Sequence, residues 1–465
     1  MLQDFIGAHK GEFRDQTELR AQTNTVSRVN FLAGNMVGNE QSVTGGVSAR
    51  VHRGGTAGFA SMAEYSEDGV RRVLAAATEN ALFMDRQVNR GRPPFPAVAG
   101  GNVPPKTEPR EQAKQAALIE FSKALDALIT GRYKDLSSRY VTTFCLDIEK
   151  LIAVGSGSGI DGTDGRFFQP RTTVYVGMTA EDSEGHPVEL YQSFGGFGGF
   201  DELFSDPALL VPELDGLHRR LMDKRDGVFA EAGLRRCVLH PDLAGMLAHE
   251  AVGHTTEADL VLGGSVAGTN LGKPVASELI GLVDFAHTAL GKTCPLPVYL
   301  DDEGVPAEDV TIIENGILKN FMHSRETARH FETKPQGNAR AFLFSDEPLI
   351  RMRNTAILPG RNKLEELIAG VDDGYYLIKT GNGQADATGE FMFSVTMGYE
   401  IKGGKLGRAI RDTTISGVAF EMLKTVDMVS DDFVWEAAGF CGKKQPMTVG
   451  MGGPAIRCEL AIGGK

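Results

Sequence analysis

The sequence predicts a β-rich protein in which several helices are set between groups of strands. Glycine accounts for 57 of 465 residues, about 12% against a usual ~7%, and such a content is typical of chains with many tight turns. Short apolar runs bounded by Gly, Asn or Asp recur at residues 25–60 and again after residue 262, and these runs predict strands. At this length we expect two or three domains, or one domain and a larger elaborated one.

The N-terminal part of the chain combines predicted strands with amphipathic helices. Strands are predicted at residues 26–31, 43–52 and 57–61. Ser66 is the predicted N-cap of a helix, because acidic residues fill the next turn and apolar residues then recur at helical spacing. The apolar face between Leu118 and Leu128 predicts a second helix.

The middle of the chain carries a proline-rich segment, a glycine-rich segment and a third helix. Five prolines lie between residues 92 and 105, which predicts a connector, and period-two alternation at 172–176 predicts a strand. Residues 193–200 consist mainly of Gly and Phe. We interpret them as a turn with packed rings, because the Gly-Lys-Ser/Thr of a phosphate-binding loop does not follow. A helix is predicted around 206–231, and a strand at 236–240 follows it.

The C-terminal part returns to strands and turns. Asn315-Gly316 between apolar runs predicts a hairpin. The acidic residues 301–304 lack the alternating ligands of a calcium loop, so we interpret them as a turn. The Gly-rich, apolar tail from Cys441 to Gly464 is expected to pair into a sheet. Three short helices are predicted, at 326–331, 363–368 and 416–426.

Composition excludes several classes of function. The net charge of −13 argues against a nucleic-acid surface, which needs clustered Lys and Arg. We see no signal peptide and no apolar run near the 18 or so residues that span a bilayer, so no membrane association is expected. The five cysteines form no C-x-x-C pair, which favours reduced thiols and a cytoplasmic location.

The most informative stretch is His249-Glu250-Ala251-Val252-Gly253-His254. We predict that it lies on one helix, which begins after Asp242 as the N-cap and continues through Asp259. In the common zinc-peptidase helix the two histidines stand at i and i+4 on one face. Here they stand at i and i+5, which on a regular helix would point the imidazoles about 140° apart. We therefore predict a helix that is locally widened near Gly253, since π-bulges recur at functional sites and glycine deforms at little cost.

These residues have the composition of a catalytic zinc site. Such a site takes three protein ligands and leaves a position for water. His249 and His254 supply two ligands, and Glu250 is placed to accept a proton from water as general base. The residues alone leave the third ligand open, and the candidates are Glu257, Asp259, Cys441 and Cys458. The alternative role for Glu257 and Asp259 is to bind the outer N–H of a ligating imidazole and fix its tautomer.

The sequence resembles a known family over nearly its whole length. His249 to His254, followed by Glu257-Ala258-Asp259, resembles the signature of the TldD branch of the TldD/PmbA (TldE) metalloprotease family. The other motifs that carry the resemblance are Gly58-Phe59-Ala60-Ser61, Asp301-Asp302-Glu303-Gly304, Gly337-Asn338-Ala339-Arg340, Arg351-Met352-Arg353-Asn354-Thr355 and Cys441-Gly442-Lys443. The His-Glu-x-x-x-His and Cys-Gly-Lys motifs together are specific.

The resemblance implies a ligand set, a fold and an assembly. It implies that His249, His254 and Cys441 bind Zn²⁺, and that Cys458 is structural. It implies an α+β fold with an N-terminal α/β domain at 1–235 and a β-rich, largely antiparallel C-terminal metallopeptidase domain at 236–465, which carries the metal-site helix. It also implies a dimer, either of identical chains or with a TldE-like paralogue that lacks the motif.

The sequence therefore predicts a zinc-dependent peptidase that hydrolyses peptides or unfolded protein segments, with water activated by Glu250. Substrates are expected to add as a β-strand to the β-rich domain, because main-chain bonds give affinity with little sequence preference. The alternative is a non-hydrolytic, metal-containing binding or assembly subunit of a TldD/TldE-like complex. A third hypothesis, a modulator of DNA topology, is disfavoured by the acidic charge.

Overall fold

The computed structural model describes residues 6–88, 101–103, 107–156 and 162–464. The proline-rich connector predicted near 92–105 lies outside these residues, apart from a short strand at Gly101–Val103. No helix within the described ranges is long and apolar enough to cross a membrane. The α-helices are α1 (Glu67–Val88), α2 (Gln115–Arg132), α3 (Phe200–Leu203), α4 (Val211–Arg225), α5 (Pro241–Leu247), α6 (Ala258–Leu262), α7 (Arg325–His330), α8 (Leu364–Ala369) and α9 (Ala419–Lys424).

The N-terminal strands form one sheet. They are β1 (Gln16–Leu32), β2 (Asn35–Arg53), β3 (Thr56–Met62), β4 (Gly101–Val103), β5 (Ser138–Gly155), β6 (Thr163–Glu181) and β7 (Pro187–Phe197). Their order is β3-β2-β1-β5-β6, with β7 and β4 both paired to β6. Among the described strands of this sheet, only β4 runs parallel to its neighbour. The strands predicted at 26–31, 43–52 and 57–61 are confirmed, and each is part of a longer strand.

Helices α1 and α2 cover this sheet with their apolar faces. The Oγ atom of Ser66 accepts a hydrogen bond from the N–H of Gly69 at 2.9 Å, which confirms the predicted N-cap of α1. Gly58 lets α1 lie directly on β3, because a Cβ at Gly58 would collide with the backbone of Ala81. In α2 the buried residues include Leu118 and Leu125, as the apolar spacing predicts.

The C-terminal strands form two larger sheets and small hairpins. They are β8 (Gly233–Leu239), β9 (Leu282–Phe285), β10 (Thr288–Ala289), β11 (Lys292–Thr293), β12 (Val310–Glu314), β13 (Ile317–Leu318), β14 (Ala339–Arg340), β15 (Leu349–Ile350), β16 (Asn354–Ile357), β17 (Asp373–Ala385), β18 (Glu390–Lys402), β19 (Lys405–Ile410), β20 (Thr413–Val418), β21 (Met428–Val429), β22 (Val434–Glu436), β23 (Phe440–Cys441), β24 (Met447–Thr448), β25 (Gly450–Gly453) and β26 (Ile456–Gly463). The α+β class is confirmed.

One C-terminal sheet closes on itself, and the other is a separate six-stranded sheet. In the first, the strand order is β17-β8-β26-β20-β18, and β17 also pairs with β18. In the second, the order is β13-β12-β9-β16-β25-β22. Helix α5 leaves β8 and packs against β17 on one side and β25 on the other. The close approach to β25 requires Gly245, where a Cβ would lie 2.8 Å from the backbone nitrogen of Gly452.

Local predictions in this half are partly confirmed. The hairpin at Asn315-Gly316 joins β12 to β13, and both residues have positive φ. The tail after Cys441 is paired into strands as expected. The Gly-rich segment at 193–200 is mostly strand, not a turn, because β7 continues to Phe197 in register with β6. The helix predicted around 206–231 is shorter, since α4 ends at Arg225.

Buried ion pairs tie the N-terminal sheet to the C-terminal sheets. Glu18 on β1 binds Arg50 on β2 at 2.8 Å and Arg325 on α7 at 2.7 Å. Arg50 also pairs with Glu303, which lies in the turn predicted at 301–304. All four side chains are at most 9% exposed. The predicted boundary between 235 and 236 stays a prediction, and β8 is the first strand of the C-terminal sheets.

Candidate metal centre

The predicted metal helix contains a widened turn. Helix α5 passes into a π-helix at Ala248–Gly253, and a 3₁₀ turn at His254–Thr256 follows. The N–H of His254 donates to the carbonyl of His249, which is the i+5 bond of a π-helix. The predicted widening near Gly253 is therefore confirmed.

Two details of the predicted helix are wrong. It does not continue through Asp259, because Glu257 has an extended backbone with ψ of 121° and α6 begins after it. Asp242 is not the N-cap, since His240 Nδ1 accepts the hydrogen bond from the N–H of Asp242 at 3.2 Å. The break at Glu257 brings its carboxylate back to His254.

Gly253 allows the widened turn to lie against the segment that contains Met352. A Cβ at Gly253 would collide with Met352 Sδ and would lie 3.3 Å from the carbonyl oxygen of Ala248. The backbone of Gly253 is ordinary helix, with φ of −55°. Close packing, and not backbone freedom, is therefore the reason that glycine is needed here.

The structure brings His249, His254 and Cys441 together. Their potential ligand atoms all lie within 4.8 Å of one another. Cys441 Sγ lies 3.2 Å from His254 Nε2, and the two imidazole rings meet edge to face with centroids 5.1 Å apart. Cys458, an alternative ligand from the sequence, lies elsewhere, because it faces Cys237 across β26 and β8.

The donor set fits a soft divalent cation such as Zn²⁺. Neither ring nitrogen of the fully buried His249 has a hydrogen-bond partner among the described residues, and an unpaired buried polar atom is costly unless a ligand meets it. Burial would raise the pKa of Cys441, but the imidazoles of His249 and His254 outweigh it and lower the pKa to about 3. Thiolate and imidazole together are typical zinc ligands.

Glu250 lies beside these three residues. Its carboxylate is 4.0 Å from His249 Nε2 and 3.8 Å from His254 Nε2. The side chain is 24% exposed, whereas His249 is fully buried. Glu250 can therefore reach both the cluster and a molecule that enters from solvent.

A chain of charged groups extends outward from His254. Its Nδ1 lies 2.8 Å from Glu257 Oε2, and Lys443 Nζ lies 3.2 Å from the same oxygen. Lys443 also pairs with Asp259 at 2.7 Å. Burial would lower the pKa of His254, but Glu257 and Cys441 raise it to about 10. Glu257 thus holds the ring of His254, and Asp259 acts one step further out through Lys443.

Arg351 holds the loop that carries Cys441, a role that was not predicted from the sequence. Its guanidinium donates to the carbonyl of Cys441 at 2.8 Å, of Lys443 at 3.1 Å and of Gln445 at 2.7 Å. The side chain is fully buried. Three bonds from one planar group fix the loop at the position of the thiol. In the sequence, the two arginines that flank Met352 could have indicated this role, because an arginine that is buried within an apolar run must find hydrogen-bond partners.

Arg353 anchors the same segment on its other side. Its Nε donates to Asp284 at 2.9 Å, and its N–H donates to the same carboxylate at 2.8 Å. Both side chains are fully buried. The segment that supplies Arg351 and Met352 is therefore fixed to β9.

Comparison with known proteins places the chain beside metallopeptidases. The profile of the "PmbA/TldA metallopeptidase C-terminal domain" matches residues 233–464, and that of "PmbA/TldA metallopeptidase domain 1" matches 17–81. The chain is 30% identical over 476 residues to a "Metalloprotease" of Methanothermobacter thermautotrophicus, covering 99% of this chain and 98% of the relative. It is 37% identical over 253 residues to a "Zinc metalloprotease TldD homolog" of Saccharolobus solfataricus, covering 54% and 56%.

A solved structure has the same fold. TldE from Thermococcus kodakarensis superimposes with a TM-score of 0.75 at 17% identity and covers 99% of both chains. At that identity the likeness concerns the fold alone.

Proposed function

Because this chain belongs to the PmbA/TldD metallopeptidase family, we propose that it is a zinc-dependent peptidase whose ligands are His249, His254 and Cys441. Its substrates are peptides or unfolded protein segments. The observation that carries the proposal is the convergence of the three ligand atoms within 4.8 Å, with Glu250 beside them.

Different side chains have different roles in the proposed hydrolysis. When bound, zinc supplies a Lewis acid and lowers the pKa of a water to about 7. Glu250 takes the proton of the attacking water and then returns it to the leaving amine. Glu257 holds His254 by Nδ1, so that Nε2 faces the thiol. Lys443 offsets the charge of the buried Glu257 carboxylate.

Substrate binding as an added strand is supported by one edge of β17. β8 pairs with β17 only from Gly374 to Leu377, because the chain then turns into α5. The edge from Ile378 to Ala385 continues past this point, and β17 packs against the π-helix. A peptide paired to that edge would lie near the π-helix that carries Glu250, without any need for a defined sequence.

The proposed assembly is a dimer of identical chains or a heterodimer with a TldE-like relative that lacks the motif. The shared fold with TldE supports it. The proposed location is the cytoplasm, supported by five free thiols.

The test measures zinc content and hydrolysis of an unstructured peptide on the same samples of wild type, Glu250→Gln and Cys441→Ser. We expect one zinc per chain in wild type and Glu250→Gln, much less zinc in Cys441→Ser, and activity only in wild type. Glu365→Gln, an exposed carboxylate on α8, is the matched control and should retain both zinc and activity.

Other outcomes would change the proposed third ligand, the proposed assembly or the proposed activity. Full zinc in Cys441→Ser would exclude the thiol as the third ligand. Zinc without activity in wild type is followed by addition of a TldE-like relative, and activity that appears then would support the heterodimer. Continued inactivity would favour the non-hydrolytic binding subunit.

A further inference from the structure

One face of the metal helix is open to solvent. Between Leu243 and Gly253, Met246 and Glu250 are the two residues that are only partly buried. They stand four residues apart, so they lie on the same face of the helix. Along the axis they are separated by about 6 Å, since each residue advances a helix by ~1.5 Å. A substrate held against this face at Glu250, the proposed general base, is therefore also close to Met246.

A cavity of about 130 Å³ opens beside Met246, and we call it the Met246 cavity. Its wall also includes Met451, Ala438 and Gly439, and Gly439 is two residues before the proposed ligand Cys441. Met246 packs against the apolar cluster that contains Cys441 and Met451. The Met246 cavity therefore adjoins the proposed metal centre.

The charged groups at the outer end of the Met246 cavity are balanced. Asp242, Lys379 and Glu436 line both this cavity and a wider one of about 340 Å³ that continues outward. Lys379 Nζ lies 3.6 Å from Asp242 Oδ2 and 3.7 Å from Glu436 Oε2. The buried guanidinium of Arg171 also attracts Glu436. Two carboxylates therefore face two cations, and no net charge is left to attract a charged group of a substrate.

The hydroxyl groups of the wall already have acceptors within the protein. Ser193 Oγ donates to Glu436 at 3.1 Å, and Thr380 Oγ1 donates to a backbone carbonyl of β18 at 2.9 Å. The hydroxyls of Tyr175 and Tyr191 each donate to a backbone carbonyl at 3.4 Å. The two tyrosines therefore contribute the apolar surface of their rings to the cavity, and not free hydrogen-bond donors.

The rest of the wall favours an apolar occupant. Met246 and Met451 have unbranched, adaptable side chains that pack well against other apolar groups, and Ala438 adds a methyl group. Transfer of an apolar side chain from water to such a wall is favourable. A lysine or glutamate side chain in the same place would lose its hydration without gaining a free partner.

We propose that the Met246 cavity is a specificity pocket for one apolar side chain of the peptide substrate, such as leucine. The inference rests on the proposed peptidase function and names the class of peptide that the site prefers. The free edge of β17 begins at this cavity, since Lys379 and Thr380 line it. Main-chain bonds to that edge would give affinity with little sequence preference, and the Met246 cavity adds a preference at one position.

The separation of Met246 from Glu250 determines which substrate residue the cavity selects. An extended peptide advances ~3.3 Å per residue, so the separation of about 6 Å along the helix corresponds to about two residues. The selected side chain is therefore expected within two residues of the scissile bond. Identification of the wild-type cleavage products by mass spectrometry checks this position.

The test measures peptide binding without turnover. Zinc-loaded, full-length Glu250→Gln protein is titrated with labelled Gly-Ser peptides that have blocked ends and carry a single alanine, leucine, lysine or glutamate. Because the host sequence is uniform, the single side chain can reach the cavity in every peptide. We expect the leucine peptide to bind about 10-fold more tightly than the alanine peptide, as for other apolar pockets. The lysine and glutamate peptides should show no gain over alanine.

Substitutions in the wall locate the preference, each made in the Glu250→Gln protein. Met246→Gln puts a polar amide in the cavity and should reduce the preference for leucine to about 2-fold or less, whereas Met246→Leu should retain it. Ala438→Leu fills the cavity and should also reduce the preference. Met392→Gln, at a methionine that is 53% exposed on β18, is the matched control. Two disruptive variants are used so that misfolding of one, seen as lost zinc, does not decide the result.

Equal affinity for the leucine and alanine peptides would overturn the inference, as would tighter binding of the lysine or glutamate peptide. A preference for leucine that persists in both Met246→Gln and Ala438→Leu would also overturn it. Hydrolysis by wild type is measured separately. A preference for leucine without hydrolysis would count against the peptidase function alone, and hydrolysis without a preference for leucine would count against this inference alone.

Discussion

His254 and Cys441 form an ion pair in the metal-free protein. The pKa of Cys441 is lowered to about 3 and that of His254 is raised to about 10, so near pH 7 the thiol has already lost its proton and the imidazole has kept it. We therefore expect the metal-free protein at pH 7 to show the ultraviolet absorbance of one thiolate, and Cys441→Ser to lack it, because an ordinary thiol is only a few per cent ionised at that pH. Equal absorbance in the two proteins would contradict the ion pair.

The same pair predicts how the stability of the metal-free protein depends on pH. Stability from Cys441, whose pKa is lowered, is lost as pH falls toward 3, and stability from His254, whose pKa is raised, is lost as pH rises toward 10. The contribution of the pair to the melting temperature should rise between about pH 3 and 6.5 and should fall above about pH 9. Subtracting the profile of Cys441→Ser isolates this contribution, and identical profiles would contradict it.

Arg351 positions the ligand loop without touching the proposed ligand atoms. Arg351→Lys keeps the charge but cannot reach three carbonyls with one planar group. We expect zinc affinity to fall about 10–100-fold, as for other residues that orient ligands, measured by competition with a chelator. Arg408→Lys, whose side chain is 68% exposed, is the control. Unchanged affinity in Arg351→Lys would show that the loop is held by other contacts.

At the scale of the element, the π-helix depends on the absence of a side chain at Gly253. Gly253→Ala should destabilise the protein by about 1–3 kcal/mol through overpacking against Met352, although alanine favours a helix by about 1 kcal/mol. In a Met352→Ala background the collision is removed, and the same substitution should become neutral or stabilising. Both effects are measured by denaturant unfolding.

Gly216 offers the matched control for this prediction. It lies inside α4, and a Cβ there would meet only the end of the Arg220 side chain, at 3.6 Å. Gly216→Ala should therefore stabilise. If Gly253→Ala behaves the same way in both backgrounds, close packing is not the reason for glycine at this turn.

Elements with strong local signals could be predicted from the sequence, and those set by distant contacts could not. The Ser66 cap and the Asn315-Gly316 hairpin depend on neighbouring residues only. The break at Glu257 depends on Met322, which exchanges backbone hydrogen bonds with Thr256 and Ala258. No local pattern reveals that pairing.

At the scale of the whole molecule, Glu303 connects the two halves of the chain. Its carboxylate binds Arg50 and accepts the N–H of Arg325 at 2.7 Å. Glu303→Gln removes one buried carboxylate that binds Arg50 and leaves Glu18 to serve both Arg50 and Arg325. The resulting excess of buried positive charge should lower the free energy of unfolding by about 3–5 kcal/mol. Glu421→Gln, in a pair whose carboxylate is 68% exposed, should cost at most about 1 kcal/mol. Equal losses would show that the buried network contributes little.

Only part of the arrangement of the whole molecule could be predicted from the sequence. The α+β class and the meeting of His249, His254 and Cys441 followed from the family resemblance. The acidic turn at 301–304 was identified, but its buried role was not, because the partners of Glu303 lie on β2 and α7. The ion pairs of Lys379 with Asp242 and Glu436 were also not predictable, since only the packing of the sheets brings these side chains together.

X-ray absorption at the zinc edge of the zinc-loaded protein identifies the ligand atoms directly. We expect one sulfur at about 2.3 Å and nitrogen or oxygen neighbours at about 2.0–2.1 Å, with the sulfur lost in Cys441→Ser. A wild-type spectrum without sulfur, or sulfur that persists in Cys441→Ser, would contradict the assignment of His249, His254 and Cys441 as the zinc ligands.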